Sequence, residues 1–79
     1  MTKEEISNLI KEYNQRLLAR GTTLEFIDFE DNNLELKFTC QDKTEFLVQG
    51  KRVTFADEIK KEIEKYLKAK INKAKIIFL

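Results

Sequence analysis

The chain has 79 residues, of which 42% are apolar and 37% are charged. This apolar content is too high for a disordered chain, and the length suits one small domain spanning residues 1–79. One cysteine, Cys40, and no histidine are present, which excludes a Cys/His zinc centre, a multi-thiolate cluster within one chain, and a histidine-activated nucleophile. We therefore predict that the protein is not an enzyme and binds no cofactor or metal.

The cysteine content, the hydropathy and the charge also bear on location and partners. A single cysteine without a signal-peptide pattern predicts a reducing, cytoplasmic setting. No apolar run approaches the roughly 20 residues of a membrane span, so we expect no membrane contact. The formal net charge is +1, but residues 24–50 carry two Lys and Arg against seven Asp and Glu, whereas residues 51–79 carry nine against four. The chain is thus acidic in its middle and basic toward its end.

The first predicted element is a helix over residues 3–20. Thr2 and Glu5 form a capping-box pattern, in which a hydroxyl and a carboxylate satisfy free backbone N–H groups at the helix start. Apolar residues then recur at helical spacing: Ile6, Leu9, Ile10, Tyr13, Leu17 and Leu18. Gly21 is well placed to end this helix in a left-handed conformation.

Three strands are predicted next. The first covers residues 24–30, where a change of parity between Phe26 and Ile27 indicates a bulge or burial on both faces. After a turn at 31–33, residues 34–40 alternate between apolar and polar side chains, which predicts a half-buried strand with Cys40 on its inner face. A turn at 41–43 leads to a third strand at 44–49, and the segment 49–52 is predicted to be a loop.

A second helix over residues 55–71 and a final strand over 73–79 complete the chain. Thr54 and Asp57 form another capping pattern, and the four apolar residues 76–79 would be costly in water unless they joined the sheet. The sequence therefore predicts an α+β fold of order α-β-β-β-α-β, with a three- or four-stranded mixed sheet and both helices on one face. The predicted core is Ile6, Leu9, Ile10, Tyr13, Leu17, Leu36, Phe38, Ile59, Ile63, Leu67 and Ile77.

Two groups of residues are candidates for function. Cys40 is a lone thiol that could react or bind a metal, but its neighbours in the strand favour a small core residue. The basic residues of the second half could contact nucleic acid or a protein partner: Lys51, Arg52, Lys60, Lys61, Lys65 and Lys68. The favoured alternative is a solvated helix face on which lysines pair with glutamates at three- and four-residue spacing.

Several segments resemble the NifU C-terminal domain family, small α/β domains that serve iron–sulfur cluster assembly. Residues 19–26 are similar to its A-D-G-G-D-V-E-L stretch, residues 34–38 to its second strand, residues 61–67 to its G-G-I-E-x-x-L helix, and residues 73–79 fall at its last strand. The family places a C-x-x-C-P motif directly after the second strand. Here Cys40 falls about two residues early and has no partner cysteine, so no cluster ligands carry over.

Two hypotheses of function follow. The resemblance implies a protein-interaction module without its own cluster, whose partners are iron–sulfur assembly or client proteins. The alternative is a small RNA- or DNA-binding module that uses the basic residues, since the element order is also similar to that of the double-stranded RNA-binding domain. A homodimer that covers an exposed edge of the sheet is compatible with either hypothesis.

Overall fold

Two helices and five strands follow one another in the computed structural model, which describes residues 1–79. Their bounds are α1 Lys3–Leu18, β1 Thr22–Glu30, β2 Asn33–Cys40, β3 Glu45–Val48, β4 Lys51–Thr54, α2 Phe55–Lys70 and β5 Lys75–Phe78. The α+β class is confirmed. The structure adds one strand, β4, where the sequence predicted a loop.

Both helices begin at the predicted capping boxes. The Thr2 hydroxyl accepts a hydrogen bond from the Glu5 N–H, and the Glu5 carboxylate accepts one from the Thr2 N–H. Thr54 and Asp57 make the same reciprocal pair at the start of α2. These bonds satisfy N–H groups that have no partner within the helix, so the local sequence alone sets where each helix begins.

The main sheet has three strands in the order β1-β2-β5. β1 and β2 are antiparallel, and β5 runs parallel to β2 because α2 carries the chain back before β5 begins. The register of β1 against β2 shifts between Phe26 and Asp28, so of the two predicted alternatives the structure has the bulge. Ile27 is the extra residue at this bulge and is exposed.

One hydrophobic core lies between this sheet and the two helices. Residues from α1, α2 and the same face of β1 and β2 join in a single cluster, so both helices cover one face of the sheet. The buried apolar residues are Ile6, Ile10, Tyr13, Leu17, Leu24, Leu34, Leu36, Ile59, Ile63, Leu67, Ile71 and Ala74. The predicted core residues Leu9 and Phe38 are half-buried and pack against this cluster.

The predicted core position of Ile77 is wrong. The parallel register pairs Leu34 with Ile76 and Leu36 with Phe78. Ile76 and Phe78 therefore share the core face and pack against the cluster, while Ile77 points to the opposite face. A run of four apolar residues has no alternation, so only the pairing with β2 decides which face each side chain takes.

Contacts between the two helices hold them side by side. The rings of Tyr13 and Tyr66 are stacked with their centroids 4.4 Å apart. Just after the end of α1, the Arg20 guanidinium donates a hydrogen bond of 2.7 Å to the Glu62 carboxylate of α2.

Neither helix is long and apolar enough to cross a membrane.

A charge in the centre of this core should unfold the domain. Ile63 is completely buried, so Ile63→Asp loses about 1.5–3 kcal/mol of apolar burial and adds the cost of burying a carboxylate. Small domains have a total stability of about 5–15 kcal/mol, and we expect no cooperative thermal transition by circular dichroism. Lys65→Asp, on the exposed side of the same helix, is the control and should melt close to the wild type. An unchanged melting temperature for Ile63→Asp would contradict the core assignment.

Candidate protein-interaction surface

β3 and β4 form a hairpin that is separate from the main sheet. The strands are antiparallel, with Val48 paired to Lys51 across a two-residue turn. Both turn residues have positive φ, 53° at Gln49 and 78° at Gly50. This is the type I′ geometry that matches the twist of the flanking strands, and glycine adopts it without steric strain.

Apolar side chains gather on the hairpin although it lies outside the core. Phe46, Val48 and Val53 lie on one face of the hairpin, where Val53 pairs with Phe46 and Lys51 pairs with Val48. We call Phe46, Val48 and Val53 the apolar hairpin face. Leu47 lies on the opposite face, which it shares with Glu45, Arg52 and Thr54. The exposed fractions are 38% for Phe46, 72% for Leu47 and 42% for Val48.

The hairpin extends away from the body of the molecule. All four residues of β3 are exposed, and β3 packs extensively against β4 alone. The radius of gyration is 13.1 Å, against about 11.6 Å expected for a globular domain of this length.

An isolated two-stranded hairpin is only marginally stable in water, and clustered exposed apolar side chains mark interaction sites. The hairpin is therefore the candidate surface for binding a partner.

Asp42 anchors the base of the hairpin. Its carboxylate accepts hydrogen bonds from both the backbone N–H and the hydroxyl of Thr44, and its backbone carbonyl accepts one of 3.3 Å from the Cys40 thiol. The Thr44 carbonyl in turn accepts a 2.9 Å bond from the N–H of Phe55, the first residue of α2. The two donors on Thr44 stabilise the ionised carboxylate and hold the pKa of Asp42 below its ordinary value.

Cys40 is half-buried and lies outside the core cluster, contrary to the predicted core position. It does point to the core side of β2, but it is the last residue of that strand and pairs with Thr22 at the sheet's end. No group of three or more His, Cys, Asp and Glu side chains is close enough together to hold a metal ion. The residues present therefore do not fit an iron–sulfur cluster.

The six predicted basic contact residues do not form one patch. Lys51 and Arg52 lie on opposite faces of the hairpin, since neighbouring strand residues alternate. Lys61, Lys65 and Lys68 share the outer face of α2, where helical spacing brings them together.

Most of these basic groups already have partners within the chain. Ion pairs join Lys61 to Glu58 at 3.6 Å, Lys68 to Glu64 at 3.9 Å and Arg52 to Glu45 at 3.7 Å. The Lys60 ammonium lies over two aromatic rings, 5.9 Å from the centroid of Phe38 and 5.6 Å from that of Phe78. The pairs on α2 are those of the solvated helix face that the sequence favoured. Exposed pairs of this kind contribute little to stability.

Sequence reasoning missed the hairpin as a unit. The third predicted strand, 44–49, contains β3, but residues 49–52 were predicted to be a loop, so its partner strand β4 was not expected. A signal was present, because Gln49-Gly50 is a two-residue turn of X-Gly type between two β-prone segments. Lys51 and Arg52 nevertheless favoured the prediction of a loop, since charged residues are uncommon in buried strands and common in loops.

Comparisons with protein-family models, with curated proteins and with solved structures found no match to this chain. The resemblance to the NifU C-terminal domain family therefore rests on the sequence segments alone.

The hydrogen bonds at the hairpin base predict a specific pH dependence. Because the pKa of Asp42 is lowered, its bonds to Thr44 are fully present above the ordinary pKa of aspartate and are lost as pH falls through the lowered pKa. Thr44→Val removes the hydroxyl donor and keeps the backbone donor, so the Asp42 midpoint should rise toward the ordinary value in an NMR titration of the carboxyl carbon. Thr39→Val, at an exposed position of β2, should leave that midpoint unchanged. An unaltered Asp42 midpoint in Thr44→Val would show that the hydroxyl bond is not formed in solution.

The cysteine content predicts the result of a cluster reconstitution. Anaerobic incubation of the purified chain with iron and sulfide should produce no stable cluster absorbance, because a single thiolate cannot replace the several ligands that a cluster requires. Cys40→Ser is the matched control and should behave identically. A stable chromophore that disappears in Cys40→Ser would contradict this prediction.

Proposed function

We propose that this protein is a non-catalytic protein-interaction module that docks to a protein partner through the apolar hairpin face. The observation that carries the proposal is the position of Phe46 and Val48, which are apolar and partly exposed on a hairpin outside the core. Their cost to the isolated chain is offset if a partner covers them.

The composition of this surface suits a small interface. Phe46 is an aromatic anchor of the kind that dominates binding energy when it is fully covered. Lys51 lies beside Val48 on the same face, and charged residues at the rim of an apolar patch are typical of protein interfaces. Covering partly exposed side chains contributes less than the roughly 1.5–3 kcal/mol of complete burial for each. A partner must therefore contact more than the hairpin face to bind tightly.

The resemblance to the NifU C-terminal domain family supports a class of partner. The hairpin follows β2 directly, at the place where that family has its cysteine pair. We propose that a docking element stands here instead of a cluster site, and that the partners are cytoplasmic iron–sulfur assembly or client proteins. Nucleic-acid binding remains the alternative. It has less support, because four of the six basic residues are engaged within the chain.

Affinity capture with matched variants tests the docking proposal. The tagged protein is compared with the double variant Phe46→Thr/Val48→Thr, which removes the apolar face but keeps β-forming residues. Captures from native lysate, with and without nuclease, are analysed by mass spectrometry. We expect a set of proteins that the wild type retains in the presence of nuclease and that the double variant loses.

The control is Ile27→Thr, which removes an apolar side chain of similar exposure, 43%, from the bulge of β1. It should capture the same proteins as the wild type. Equal capture by the double variant would contradict docking through the hairpin. Recovery that vanishes with nuclease would instead favour nucleic-acid binding, whose affinity should then fall steeply with salt.

A further inference from the structure

We propose that β3 pairs edge to edge with β3 of a second copy of this chain, in antiparallel orientation, to form a four-stranded sheet. This inference rests on the proposed function, because self-pairing would join two apolar hairpin faces into one larger docking surface. It is carried by three features of the hairpin: the direction of its backbone groups, the charges along its edge, and the lack of edge protection.

The hydrogen bond between Thr44 and Phe55 shows which backbone groups of β3 face β4 and which face its free edge. The Phe55 N–H donates to the Thr44 carbonyl, so the backbone groups of Thr44 point toward the strand that follows. Antiparallel pairs alternate in direction, and the N–H and C=O groups of Glu45 and Leu47 therefore point to the free edge of β3. These four groups are available to a new strand.

One register uses all four groups. If the two copies are related by a two-fold axis at Phe46, Glu45 of each copy lies opposite Leu47 of the other, and four backbone hydrogen bonds form. A register centred on Leu47 would form only two between strand residues, because Glu45 would then lie opposite Gln49 in the turn. In the first register the two Phe46 rings are direct neighbours on the same face, as aromatic cross-strand pairs prefer.

Charge does not oppose this pairing. Glu45 is the only charged residue in β3, and across the seam it would meet Leu47 rather than a second carboxylate. Lys51 and Arg52 lie on β4, so the basic side chains would occupy the two outer strands of the new sheet. Like charges directly opposite each other destabilise a strand pair, and none occur at this seam.

The free edge of β1, in contrast, is protected against pairing. The Leu24 N–H, which points outward, already donates a 2.7 Å hydrogen bond to the Asn14 side chain. A bulge interrupts the strand between Phe26 and Asp28, and Asp28 carries an ion pair of 3.1 Å with Lys3. Bulges and charges at an edge are the devices by which proteins prevent strand addition.

The outer edge of β4 is protected in a similar way. Lys51 and Arg52 place two cations along it, and the Thr54 N–H is engaged by the Asp57 carboxylate in the capping box. β3 has no proline, bulge or occupied donor on its free edge, and Glu45 is its one charged residue, followed by Phe46, Leu47 and Val48. Because the hairpin extends from the body, a second copy can reach this edge.

Disulfide trapping tests the pairing in the full chain. In a Cys40→Ser background, Phe46→Cys places two thiols at the two-fold axis, with about 4.5 Å between their Cα atoms, within the roughly 4.4–6.8 Å that a disulfide requires. Leu47→Cys is the matched control, because in this register its two Cα atoms are roughly 8 Å apart. We expect mild oxidation to convert most of the Phe46→Cys protein, and much less of the Leu47→Cys protein, to covalent dimer. Random collisions would favour the more exposed position 47, so equal or greater cross-linking there would overturn the proposal.

Sedimentation equilibrium provides the second measurement. The wild type should show a concentration-dependent dimer, and Leu47→Pro should be monomeric with an unchanged circular dichroism spectrum, because proline removes an outward N–H and spares the bonds to β4. A wild type that stays monomeric would overturn self-pairing. If it still captured partners through the apolar hairpin face, the proposed function would stand. A dimer without captured partners would remove the docking function and leave self-pairing intact.

Discussion

β2 is the strand on which the arrangement of the molecule depends, because it has two edges and both are occupied. β1 pairs with one edge through a short turn, and β5 takes the other in parallel after α2 has crossed the core. A strand that follows β2 in sequence would ordinarily pair with it. No edge of β2 remains for β3. Within the chain β3 pairs with β4 instead, and the hairpin forms outside the main sheet.

This exclusion explains why apolar residues are exposed on the hairpin. Phe46, Leu47 and Val48 have the side chains of a sheet strand, but the core face is already covered by α1 and α2. The base is nevertheless held firmly, since Asp42 binds Thr44 and Thr44 binds the first residue of α2. The hairpin is therefore an ordered element that presents apolar side chains at a defined place, which is what a docking surface requires.

The chemistry of the site was only partly visible in the sequence. The lack of histidine and the single cysteine restricted the metal and nucleophile chemistries that the chain could support. The partners of the basic residues on α2 followed from helical spacing, as the Glu58–Lys61 and Glu64–Lys68 pairs illustrate. The position of Lys60 over Phe38 and Phe78 did not, because those rings come from two strands distant in sequence.

The sequence by itself determined the local elements: the capping boxes at Thr2 and Thr54, the apolar faces of the helices, the alternation of β2 and the change of parity at Ile27. Each depends on neighbours within a few residues, where hydrogen-bonding and burial patterns repeat. Only the tertiary structure decided that Ile76 and Phe78 face the core instead of Ile77, that Cys40 lies outside it, and that β3 leaves the main sheet. These outcomes depend on which strand takes each edge of β2. That choice is a competition between segments far apart in the chain, and no local pattern records it.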